Sequence, residues 1–142
     1  MDKGLYSELS KAIGLASHDI GVGSFVYLRR IFESLIEDAR KEASKEVEWN
    51  ADEYKAIKYM DEKIRYLKKY LPEFLSKNSV IYSILSKGIH ELSENDCLTH
   101  FEVVKTGIEL ILDEKIIQAE KKKKIEVAEK AIQEVHQTVK PK

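Results

Sequence analysis

His90 is the side chain best suited to chemistry in this sequence, because an imidazole changes charge near neutral pH and can both take and give a proton. It follows Ser86, Lys87 and Gly88 and precedes a Ser93-x-x-Asp96 helix start, which places it at a corner between two helices. Lys87 puts a cation three residues away. An acid-base histidine beside a cation suits phosphodiester cleavage, since the cation stabilises the charge that develops. The structural alternative is a histidine that bonds a backbone carbonyl and fastens the corner. Arg30 and Glu33, on the charged face of an earlier helix, either complete a polar pocket against residues 86–91 or belong to a solvated face.

Other chemistry is sparse. Cys97 and His100 sit one helical turn apart, but two ligands do not make a metal centre, and we expect neither metal nor cofactor. Gly21 and Gly23 lack the third glycine, the Gly-Lys-Ser/Thr ending and the preceding strand of a phosphate loop, so they read as a linker between helices. Tyr66, Lys68 and Lys69 belong to a stretch in which Tyr59 and Tyr70 alternate with Lys58, Lys63 and Arg65. Cations for phosphates interleaved with rings for bases suit RNA, whereas tyrosines flanking a helical core are the alternative.

The elements that must position these residues are helices. With 142 residues, 43% hydrophobic and 35% charged, and only two prolines, the composition is that of one helical domain able to bury its own core. A net charge of -1 excludes a module built around an overall basic field. One cysteine precludes an internal disulfide, the first residues are charged, and no apolar run approaches the ~18 residues of a membrane span. We expect a cytoplasmic protein with no membrane partner.

The apolar spacing predicts a first helix over 4–17, a turn at Gly21-Val22-Gly23, and a second helix over 25–47 capped by Ser24. Asn50 should open a third helix of about 20 residues, ended by Pro72. Phe74 and Leu75 should tuck into the core, and Asn78 or Ser79 should cap a short helix closed by Gly88. The last helix should run from 94 to about 138. Beyond Glu120 and the four lysines 121–124, only Ile125, Ala128, Ile132, Val135 and Val139 keep a heptad spacing. Two heptads are too few to hold alone, which predicts pairing with another chain or a missing segment. The expected fold is an all-α bundle of four to five helices over 1–118, with 119–142 a coiled-coil-like tail continuing the last helix.

A long helix carrying Phe25-Val26-Tyr27-Leu28-Arg29-Arg30-Ile31-Phe32-Glu33, a second long helix, a short helix and a histidine before a final helix together resemble the HEPN superfamily. The likeness covers roughly residues 15–118 and is greatest to the uncharacterised bacterial branch found in larger defence-related or mobile-element proteins. It implies an all-α domain, often a homodimer. Active members are metal-independent ribonucleases with an arginine a few residues before a histidine. His90 matches that histidine, but Ser83 to Lys87 offers only Lys87, a point charge rather than a bidentate fork. The resemblance therefore implies a non-catalytic, dimerising binding or regulatory domain that contacts RNA, a nucleotide or a protein partner, and the heptad tail points to the C-terminal helix as the place for a protein partner. The competing expectation is a ribonuclease in which His90 is helped by Lys87 or Arg30.

Overall fold

A computed structural model describes residues 3–140. Helix α1 spans Lys3–Ser17, α2 Gly21–Ala43, α3 Ala51–Lys55, α4 Met60–Tyr66, α5 Glu73–Lys77, α6 Val80–His90 and α7 Glu94–Val139, with a 3₁₀ turn at Lys68–Tyr70. The described residues contain no strand, and the all-α expectation with a long final helix holds.

Helix α2 is the centre of the bundle, packed between α1 on one side and α6 and α7 on the other. That sandwich explains why its buried surface is broader than one stripe. Phe25, Leu28, Phe32 and Leu35 follow the helical period, and Ile31 is also fully enclosed. Each such side chain contributes about 1.5–3 kcal/mol by leaving water. On α7, Phe101, Val104, Ile108, Ile111 and Leu112 complete the core. Leu112 is the last buried residue of the described chain, and every residue from Ile117 to Lys140 is exposed.

The junction between α1 and α2 differs from the expected glycine turn. Just past its last helical residue, helix α1 is closed instead by Asp19, whose φ of 63° is left-handed. Ile20 N–H donates to Leu15 O at 2.9 Å and Asp19 N–H to Ala16 O at 3.1 Å, the paired bonds that close a helix C-terminus in this way. Asp is tolerated at such a position because its short polar side chain fits there. Gly21 and Gly23 then lie inside α2, and Ser24 is no cap: its buried hydroxyl donates to Gly21 O at 2.6 Å. The second helix also stops at Ala43, short of the expected residue 47.

The expected third helix of about 20 residues is broken into α3, α4 and the 3₁₀ turn, although Asn50 does cap its start by accepting from Glu53 N–H at 3.0 Å. Aromatic packing accounts for the break. Trp49 lies 5.3 Å from the Tyr54 ring and 5.6 Å from the Tyr66 ring, and the two tyrosine rings are 5.9 Å apart. A continuous helix would separate residues twelve apart by ~18 Å, so folding both tyrosines onto one tryptophan requires the chain to turn between them. The apolar spacing was still informative, because Tyr54, Ile64, Leu67 and Leu71 are all buried. Leu75 is fully buried as expected, and Phe74 partly so.

Gly88 does not close α6. It lies within the helix, which continues to His90, and neither expected cap acts as one: Asn78 donates to Phe74 O at 3.0 Å, and Ser79 is helical with no capping bond. Gly88 is there for space. A Cβ on it would overlap the Phe25 ring and approach Cys97 Sγ to 3.5 Å. Gly21 has the same role on α2, where a Cβ would meet Glu94 O and come within 2.9 Å of Cys97 Cβ. Ser93 opens α7 as expected, accepting from Asp96 N–H at 3.1 Å.

Gly14 provides the contrast, since a Cβ there meets nothing within 4 Å. Gly14→Ala should stabilise the protein by roughly 0.5–1 kcal/mol, by restricting the unfolded chain and improving helix propensity. Gly88→Ala should destabilise it by roughly 1–3 kcal/mol or more through overpacking. Urea unfolding checks both, and a neutral Gly88→Ala would show that α2 and α6 are not held at this separation.

Candidate functional site

The polar residues facing each other across α2 and α6 form one connected group. Tyr82 of α6 receives a hydrogen bond at its hydroxyl from Arg29 Nη2 at 3.2 Å and donates to Glu33 Oε2 at 3.2 Å. Arg29 also stacks over the Tyr82 ring at 5.3 Å, and Phe32 packs against the same ring at 5.3 Å. Arg29 Nε lies 3.8 Å from Glu33 Oε2, the expected pairing one turn apart. The tyrosine thus joins two helices through a charge pair, and its hydroxyl bonds involve charged partners, which are the stronger kind. Further along α2, Glu37 pairs with Arg40 at 2.6 Å, and that guanidinium holds the Glu37 carboxyl below the usual range.

The expected pocket around His90 does not assemble from the residues proposed for it. His90 is exposed at the C-terminal end of α6, with exposed Lys87 one turn before it. Arg30 faces α1 instead: it lies over the Tyr27 ring at 4.9 Å and 3.8 Å from Glu8 Oε2. Glu33 is engaged by Tyr82 as described. Ser86 is partly buried, and its hydroxyl has no hydrogen-bond partner among the described residues.

The basic aromatic stretch is also divided. Tyr66 packs on Trp49 and Tyr54, and Tyr70 donates to Glu46 at 3.0 Å while lying beside Lys69 at 5.6 Å. Those rings are used within the fold rather than offered for base stacking; Tyr59 is the exposed one. Lys68 lines a cleft of about 370 Å³ with Arg65, Ser76 and Lys77, where Lys77 is already paired with Glu73 at 2.8 Å. A second cleft of about 390 Å³ is apolar and lies between Leu5 and Tyr6 of α1 and Leu112 and Ile116 of α7.

Two acids of α7 serve as caps for distant helices, a role that no local motif discloses. Glu94 accepts from Gly21 N–H and from Val22 N–H at 3.1 Å, holding the start of α2. Glu114 accepts from Glu73 N–H and from Phe74 N–H at 3.0 Å, holding the start of α5. Carboxylates at helix N-termini satisfy orphan donors and complement the positive end of the dipole. Sequence reasoning missed these, together with Arg29 and Tyr82, because each role depends on a partner at least 40 residues away.

Among the described residues no group of three or more His, Cys, Asp or Glu side chains could hold a metal ion, and no helix is long and apolar enough to cross a membrane. Comparison with protein-family models, with curated proteins and with solved structures finds no match to this chain.

Cys97 is fully buried, and its Sγ donates to Gly88 O at 3.4 Å. Burial, reinforced by Glu94 and Asp96, raises the thiol pKa above its ordinary value, so little reactive thiolate forms at neutral pH. Native protein should therefore resist iodoacetamide, with alkylation rising in step with urea unfolding. Rapid alkylation of folded protein would contradict the packing of α7 on Gly88.

Proposed function

We propose that this chain is a non-catalytic, HEPN-like helical binding module whose C-terminal helix brings copies of the protein together. The observation that carries this reading is the distal half of α7. From Ile117 to Val139 the helix extends ~35 Å with every side chain exposed, yet Ile125, Ile132, Val135 and Val139 keep the spacing of a seam. Charges four apart, Glu120 with Lys124 and Glu126 with Lys130, give an isolated helix only a few tenths of a kcal/mol each. That is too little to make such a segment firmly helical in water, so its apolar face is best accounted for by a partner. The separation of Arg30 from the exposed His90 and Lys87 supports binding over cleavage.

Full-length protein should sediment as a concentration-dependent dimer. The double substitution I125E/I132E should shift it towards monomer at least tenfold, and at concentrations where both proteins are monomeric the unfolding midpoint of the bundle should be unchanged, since both positions are exposed and glutamate is a good helix former. A wild-type chain that stays monomeric at high micromolar concentration would contradict the proposal.

A further inference from the structure

The apolar surface of α7 does not begin at the tail. Val103, Leu110 and Ile117 recur every seven residues along the solvent side of α7 beside the bundle, and they are 76%, 46% and 63% exposed. On a helix of 3.6 residues per turn they share an arc of ~80° with Ile125, Ile132 and Val139 of the tail. One face therefore carries exposed apolar residues from beside the bundle core to the end of the helix. A seam confined to the tail leaves Val103 and Leu110 in water.

Two charged residues on this arc decide what can cover it. Glu114 and Lys121 stand on either side of Ile117. A second copy laid parallel would stack Glu114 on Glu114 and Lys121 on Lys121, like against like in both layers. A second copy laid antiparallel, with a two-fold axis beside Ile117, reverses the match. Residues whose numbers add to 235 then face each other, so Val103 meets Ile132, Leu110 meets Ile125 and Glu114 meets Lys121. Each contact occurs twice, as a two-fold interface requires. Glu114 remains engaged with the amides of α5, so its charge is fixed at the edge of the seam.

We infer that α7 pairs with α7 of a second copy in antiparallel register, so that the tail of each chain covers Val103 and Leu110 on the bundle of the other. This inference rests on the self-association reading and adds the partner's orientation to it. The same contact accounts for Val103 and Leu110 beside the bundle, for Ile125 and Ile132 of the tail, and for the acid and base between them.

Disulfide trapping tests it on the full-length chain. Protein carrying L110C is mixed with isotopically labelled protein carrying I125C, oxidised with diamide, and read by mass spectrometry. Both positions are exposed, so the substitutions leave the core intact, and buried Cys97 stays out of the reaction. The expected product is the mixed L110C–I125C dimer; in this register two I125C sites lie ~22 Å apart, too far to bridge. Predominant I125C–I125C product would overturn the antiparallel register while leaving self-association in place. Absence of any trapped dimer while the protein still sediments as a dimer would overturn α7 as the interface. A monomer by sedimentation would overturn both readings. Lys121→Ala supplies an independent sign: the antiparallel pair should weaken about two- to fivefold, whereas a parallel pair would tighten because a repulsion is removed.

Discussion

Helix α2 can meet both α6 and α7 only because two side chains are missing. Gly88 lets the Phe25 ring rest on the backbone of α6, and Gly21 lets the first turn of α2 sit against Glu94 and Cys97 of α7. Much of the remaining structure follows from that joint. The start of α2 comes within reach of the Glu94 carboxylate, which satisfies two of its free amides. The Cys97 thiol falls onto the Gly88 carbonyl, and the short link from His90 to Ser93 turns the chain directly from α6 into α7. A larger residue at Gly21 would push α2 from α7, and one at Gly88 would push α6 from α2.

The same joint sets the direction of α7. Its first half is committed to α2, α5 and α6, and a continuous helix carries that orientation past the bundle into solvent. A helix of 46 residues is ~70 Å long, about twice the width of a domain of this size. The bundle thus acts as a rigid base for an apolar rail. His90 and Lys87 stand on the exposed end of α6 rather than on that rail.

How far the structure could be read in the sequence depended on the range of the interactions involved. Some local signals held: the Asn50 and Ser93 caps, the Phe25–Ala43 stripe and the uninterrupted last helix all follow from residues within one or two turns, whereas Ser24, Asn78 and Ser79 cap nothing. Tertiary packing overrode them at particular places. Trp49 drew Tyr54 and Tyr66 together and broke a helix whose spacing was otherwise regular, and the close approach of helices turned three glycines from expected turn and stop signals into helical residues. Arg30 was indistinguishable in sequence from Arg29, its neighbour on the same charged face, but one residue is a rotation of ~100°, which sends Arg30 to α1 and Arg29 to Tyr82. The Val103, Leu110 and Ile117 spacing was legible in principle. Its significance lay in exposure, which requires knowing which side of α7 the bundle covers.

The central claim is that the distal half of α7 is held by a second copy rather than by its own helical preference. Amide hydrogen exchange measured by mass spectrometry over a range of protein concentrations tests it most directly, because a helix stabilised by association loses protection on dilution whereas a packed bundle does not. Protection over residues 125–139 should rise with concentration, and so should protection around Val103 and Leu110, while that of residues 28–36 of α2 stays constant. Tail protection that is high and the same at every concentration would contradict the account.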